Sequence, residues 1–211
     1  MTELVFILDR SGSMDGLEKD TIGGFNSMLK KQRTESGEAF VTTVLFDNRV
    51  EVLHDRMPLA EVPDMTEEDY FVRGSTALLD AVGDTIKHIA KIHKYAPPTH
   101  RPEKTLFVII TDGMENASRR FSYDEVKRLI AHEQEKYGWE FLFLGANIDA
   151  AREGARFGIA PERAVTYKCD EEGTALNYEV LSEAVSDIRL CGGIRQDWSA
   201  RIKADVKKRG K

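Results

Sequence analysis

Short continuous apolar runs alternate along the chain with longer stretches whose apolar positions recur at helical spacing. Residues 2–8 form a β-rich run, continuous enough for a strand covered on both faces, and it ends at Asp9 in a Ser/Gly loop. Leu17, Ile22, Phe25, Met28 and Leu29 then follow a helical rhythm, with Asp15 expected as N-cap and Gly37 as the stop. Residues 40–46 and 50–54 flank Asp47, Asn48 and Arg49, a short polar connection that predicts an antiparallel hairpin. Pro58 and Pro63 punctuate an acidic loop up to Phe71. Gly74, Ser75 and Thr76 then open a second helical pattern through Leu78, Leu79, Val82, Ile86, Ile89 and Ala90, closed by Pro97, Pro98 and Pro102.

Residues 105–110 are the most apolar strand, stopped by Thr111, Asp112 and Gly113, and residues 122–137 read as a capped helix. Further strands are expected over 139–144 and 164–167, with helices over 148–157 and 176–190. Strands alternating with helices imply crossover units. The expected fold is α/β, a doubly wound, mostly parallel six-stranded sheet with one antiparallel edge strand and helices on both faces. Residues 1–193 are read as this domain and 194–211 as a basic amphipathic C-terminal segment, in which Ile194, Trp198, Ile202 and Val206 recur every four residues. The segment is expected to pack on the domain, with a partner or an anionic surface as the alternative. The last five residues, 207–211, are expected to fray.

Composition narrows the classes. The 211 residues are 41% hydrophobic and 31% charged, too apolar for disorder, and the longest apolar runs are far short of the roughly 18 residues that span a bilayer. No basic region precedes the first apolar run, so a cytoplasmic protein is expected, with no membrane partner. A net charge of −6 argues against whole-surface binding to nucleic acid, although the tail from Arg195 onward carries seven bases against two acids. Cys169 and Cys191 form no C-x-x-C motif and are expected to be reduced and inert.

In doubly wound sheets ligands bind beyond the carboxyl ends of the strands, and two carboxylates stand there, Asp9 and Asp112. After Asp9 come Ser11 and Ser13, so a carboxylate and two hydroxyls occupy alternate positions on one turn. Oxygen donors suit a hard cation such as Mg²⁺, which takes six of them and keeps several waters. Thr76 offers a third hydroxyl and Asp112 a second carboxylate. As a simpler alternative, Asp15 with Ser13, and Thr76, would serve only as helix N-caps.

D-x-S-x-S after the first strand, G-S-T before a helix and T-D-G after the most apolar strand occur in that order. Over about residues 2–170 this arrangement resembles a von Willebrand factor A (VWA) domain with a metal-ion-dependent adhesion site, the fold also found as the integrin inserted domain. The compact form looks most like intracellular bacterial or phage members that accompany tellurite-resistance or chaperone-like ATPase systems. The resemblance implies that Ser11, Ser13 and Thr76 contact the metal and that Asp9 and Asp112 act largely through bound waters. Mg²⁺ is the implied ion, with Mn²⁺ or Ca²⁺ as alternatives. Neutral hydroxyls leave such an ion incompletely neutralised, so it attracts an acidic side chain of a partner protein, an ATPase or stress-response protein being the partner the resemblance suggests. Gly12 and Gly113 would permit close packing around the ion, and Arg10 at the rim would attract the acidic partner. Specificity would come from the loops over 57–73 and 114–121.

Catalysis is not expected. A haloacid-dehalogenase-type phosphatase using Asp9 as nucleophile is the alternative, but the second acid it needs two residues on is replaced by Ser11. Ser11 lies outside any G-x-S-x-G, and no His lies next to the three loops. His88 and His93, five apart, point about 140° from each other on a helix and are read as surface residues. Gly145 connects strand to helix without either glycine-rich phosphate motif, so it is read as a tight turn.

Overall fold

The computed structural model describes residues 1–210, so Lys211 at the end of the expected frayed tail lies outside the described residues. Six strands, β1 (Thr2–Asp9), β2 (Ala39–Phe46), β3 (Val50–Pro58), β4 (Lys104–Thr111), β5 (Glu140–Ala146) and β6 (Ala164–Tyr167), form one sheet in the order β3-β2-β1-β4-β5-β6. All neighbours pair in parallel except β2 with β3. The expected doubly wound sheet with one antiparallel edge is therefore the observed one. Chain order reverses between β1 and β4, which places the crevice for ligands at the carboxyl ends of those two strands. Leu8 pairs with Ile110, so Asp9 stands beside Thr111.

Alternation along β1 sorts its side chains between two cores. Leu4, Phe6 and Leu8 face the layer of α1 (Glu18–Arg33), α5 (Glu171–Cys191) and α6 (Ala200–Arg209). Val5 and Ile7 face the layer of α2 (Leu78–Tyr95), α3 (Tyr123–Tyr137) and α4 (Ala150–Arg156). β1 and β4 are covered on both faces, which is why their sequences are continuously apolar. Aromatic stacking fills the second core, Phe107 lying 5.2 Å from Trp139 and 5.0 Å from Phe141 by ring centroids. Gly24 lets α1 and α5 approach, since a Cβ there would collide with the Tyr178 ring.

Several boundaries differ from expectation for physical reasons. Asp15 does not cap α1; it ends a 3-10 turn over Gly12–Met14, and α1 starts after Leu17 with no side-chain cap. Nor does α1 run to Gly37, because Thr34 closes it. β3 extends through Pro58, which an edge strand tolerates because it has no further neighbour to serve. α3 carries the expected cap, a reciprocal Ser122–Glu125 box. Gly145 lies within β5 and not in a turn, where Ile148 crowds against it.

At the C-terminus only Ile202 and Val206 of the four-residue stripe are on a helix. Ile194 and Trp198 precede α6, and with Ile202 they are buried against the first core. Residues 207–209 are not frayed: they complete α6, and Arg209 pairs with Asp170 at 2.7 Å and with Asp205. His88 is exposed beside Asp55, but His93 is half-buried, 3.2 Å from the fully buried Glu3 and edge-on to Trp139. Cys169 and Cys191 are unpaired. Among the described residues no helix is long and apolar enough to cross a membrane.

Candidate functional site

Asp9 is the last residue of β1, and its carboxylate is fully engaged in the loop it introduces. Oδ1 accepts the Ser11 N–H at 2.7 Å, and Oδ2 accepts the Thr111 hydroxyl of the neighbouring strand at 2.6 Å. Burial pushes the Asp9 carboxyl up to about 6, although the bonds from Thr111 and Ser11 oppose the shift. Burial likewise raises Asp112, against a bond from Ser13.

The three hydroxyls form a chain. Thr76 Oγ1 donates to Ser11 Oγ at 3.1 Å, Ser11 Oγ lies 3.1 Å from Ser13 Oγ, and Ser13 Oγ donates to Asp112 Oδ1 at 2.5 Å. Residues 9, 11, 13, 76 and 112, drawn from three distant stretches, thus converge at the reversal point of the sheet. Capping does not account for them. The 3-10 turn after Ser11, α1 and α2 all begin without a side-chain cap, and α2 starts after Ala77, one residue beyond Thr76.

The donor set suits a hard divalent ion. The 3.1 Å spacings match the edge of an oxygen octahedron around Mg²⁺, about 2.8–3.0 Å for metal–oxygen bonds of 2.0–2.1 Å. Asp112 Oδ2 is buried without a hydrogen-bond partner, a costly state for a carboxylate oxygen that an ion or its water would relieve. Gly113 keeps the floor open, since a Cβ there would fall 2.9 Å from Thr76 Oγ1 and 3.3 Å from Ser13 Oγ. Gly12 has no such close neighbour, its Cβ position lying 3.6 Å from the Gly74 carbonyl. No cluster of three or more His, Cys, Asp or Glu suited to a metal occurs among the described residues, so hydroxyls supply most of this donor set.

Arg10 is not at the rim. Its side chain is fully buried, with Nε 3.1 Å from Asp47 Oδ2, Nη2 2.5 Å from Glu51 Oε2 and Nη1 3.2 Å from the Asp69 carbonyl. Asp47 in turn takes Arg73 Nε at 2.7 Å and the Arg49 N–H at 2.8 Å, while its carbonyl receives the Ala77 N–H. Burial would raise the Asp47 carboxyl, yet the Arg73, Arg49 and Arg10 donors outweigh it and hold the group below its ordinary value. Asp47 therefore ties the loop bearing the serines to the loop bearing Thr76. Tyr70, buried on the other side, donates its hydroxyl to the Asp9 carbonyl.

The loop after Asp112 is bolted to α2. Glu115 accepts the Leu79, Ala117 and Ser118 N–H groups, and so serves as the missing cap of that helix from 36 positions away. Asn116 Oδ1 accepts the Thr76 N–H, and the Thr76 carbonyl accepts the N–H groups of Asn116 and Ala117. Asp80 accepts three successive N–H groups, from Arg119, Arg120 and Phe121. Asp47, Tyr70, Asp80 and Glu115 are positioning residues that sequence reasoning missed, and Arg10 is one that it placed at the rim. Thr111, named only as the first letter of T-D-G, is a further positioning residue through its bond to Asp9.

No protein-family model and no curated protein matches the chain. Solved structures do. A type V pili tip protein domain, the vWF domain of Mfa5 from Porphyromonas gingivalis, is 12% identical with a TM-score of 0.62, covering 89% of this chain and 96% of that one. Proximal thread matrix protein 1 from the mussel byssus, in a structure with a zinc-occupied MIDAS motif, is 16% identical with a TM-score of 0.58, covering 87% of this chain and 45% of that one. A von Willebrand factor type A protein from Catenulispora acidiphila is 15% identical with a TM-score of 0.55, covering 87% and 42%. This chain spans less than half the length of the latter two. At these identities the likeness is one of architecture, and the chain has the fold of the von Willebrand factor type A domains.

Proposed function

We propose that this chain is a divalent-metal-dependent protein-binding module in which Ser11, Ser13 and Thr76, with Asp9 and Asp112 behind them, hold Mg²⁺ and dock an acidic side chain of a partner. The observation that carries the reading is the chain of hydroxyls from Thr76 through Ser11 and Ser13 to Asp112, at the crevice of the sheet and unused by any helix cap. The zinc-occupied motif of the mussel protein, on the same fold, supports a metal at this place. A bound ion would supply positive charge that neutral hydroxyls leave largely unspent, attractive to a carboxylate. The chain's own residues do the rest. Asp9 orients the loop through Ser11 N and Thr111, Ser13 aims Asp112, and the buried Arg10–Asp47 pair fixes the loop from behind.

Catalysis is not part of the proposal. Both Asp9 oxygens are engaged and the residue is 1% exposed, which does not suit a nucleophile that must reach a substrate. Calorimetric titration with Mg²⁺ and Mn²⁺ tests the site. Wild-type protein should bind, an Asp9→Ala, Ser11→Ala variant should not, and Thr76→Val should lose the heat while keeping its thermal stability, since Thr76 caps nothing. Equal heats from all three proteins would refute the site. Water-proton relaxation of bound Mn²⁺ then reports docking, which should fall as acetate replaces a water.

A further inference from the structure

Beside Thr76 runs a polar groove of about 650 Å³ whose wall includes Asn48, Arg49, Gly74, Ser75, Asn116 and Arg119. Arg49 and Arg119 are exposed, and among the described residues neither guanidinium pairs with a carboxylate. Their neighbours are spoken for: Arg73 pairs with Asp47, and Arg120 with Asp80 and Asp84. Asp80, the acid in the groove wall, is occupied by the three N–H groups of the 119–121 segment. A chain with a net charge of −6 thus presents two uncompensated guanidiniums to one groove, whose wall residues Ser75 and Asn116 are the chain neighbour and the hydrogen-bond partner of Thr76.

We infer that this groove is a second, metal-independent anion subsite, and that the partner is an acidic protein segment with at least two carboxylates, one at the metal centre and the next on Arg49 and Arg119. The inference rests on the proposed function above and deepens it. Guanidinium forks match carboxylates in pairs of parallel hydrogen bonds, which gives register along a segment as well as attraction. A phosphate would draw on backbone N–H groups at a helix start. Those of α2 are already consumed, Leu79 N by Glu115 and Asp80 N by the Ser118 hydroxyl. The groove therefore offers side-chain guanidiniums, which take carboxylate and phosphate alike, and the carboxylate proposed at the metal centre makes a further carboxylate of the same segment the occupant.

The probe is fluorescein-labelled octaglutamate, followed by anisotropy in Mg²⁺, with Mn²⁺ binding measured separately by electron paramagnetic resonance. An Arg49→Gln, Arg119→Gln variant should bind Mn²⁺ like wild type but octaglutamate about fivefold more weakly, equivalent to about 1 kcal/mol. Thr76→Val should lose Mn²⁺ binding and the metal-dependent share of octaglutamate binding, and the residual share should still respond to the arginine substitutions. Unchanged octaglutamate affinity in the arginine variant, no octaglutamate binding by Mn²⁺-loaded wild type, or a wild-type preference for a phosphoserine peptide of equal length would each overturn the subsite. Failure of wild type to bind Mn²⁺ would instead overturn the metal centre. In that case octaglutamate binding in chelator that still falls in the arginine variant supports the subsite on its own.

Discussion

Arg10 Nε lies 3.1 Å from Asp47 Oδ2 with both side chains fully buried, so the loop that carries Ser11 and Ser13 is pinned to the end of the neighbouring strand by a desolvated ion pair. Removing one member of such a pair strands the other charge, a penalty of about 3–5 kcal/mol. Arg73 remains on Asp47, which places Arg10→Met near the lower end, at about 3 kcal/mol. Urea unfolding should show this loss, together with weaker Mn²⁺ binding from the loosened serine loop.

Asp80 makes a pH dependence. Burial would raise its carboxyl, but the N–H donors of Arg119, Arg120 and Phe121 and the charge of Arg120 outweigh burial and hold it below the ordinary 3.8. Its folded value lies below its unfolded one, so its contribution is complete above about 3.8 and fades as the pH falls through the folded value. The stability gap between wild type and Asp80→Ala should be flat at neutral pH and shrink on acidification below 3.8 in denaturant titrations. A gap that grows on acidification would contradict the assignment.

Gly113→Ala should damage the site more than the fold. Its Cβ would press on Thr76 Oγ1 and Ser13 Oγ, and relief by small shifts costs about 1–3 kcal/mol. Mn²⁺ binding should weaken markedly, whereas Gly12→Ala, with only ordinary contact at 3.6 Å, should leave it nearly intact.

Trp198 joins the C-terminal segment to the first core and donates its indole N–H to the Glu162 carbonyl at 2.8 Å. Trp198→Ala should cost about 3–5 kcal/mol in chemical denaturation. Lys207→Ala, on the exposed side of α6, should stay within about 0.5 kcal/mol of wild type.

The sheet, and the convergence of the five residues picked as candidate ligands, were legible because each leaves a local mark. β1 and β4 are apolar throughout since both their faces are covered, and Asp9, Ser11, Ser13 and Asp112 at or just beyond strand ends, with Thr76 ahead of α2, are the oxygen-bearing side chains that the proposed hard ion would use. The supporting residues leave none. Whether Arg10 points outward or inward depends on Asp47, 37 positions later, which reads as an ordinary turn residue. Thr76 looks like a helix cap until Glu115 is seen to do that work from another loop. Arg209 resembles a frayed tail until Asp170 and Asp205 hold it. Pairings across long chain separations are decided by tertiary structure, and no periodicity or spacing announces them.

The Thr76 N–H donates to Asn116 Oδ1 while the Thr76 carbonyl accepts the N–H groups of Asn116 and Ala117, which makes the two loops a single mechanical part. Grafting the corresponding loops of another protein of this fold onto the chain therefore requires exchanging both stretches at once. Replacing either alone would leave α2 uncapped or deprive Thr76 of its anchor, and a half-exchange would unseat both stretches.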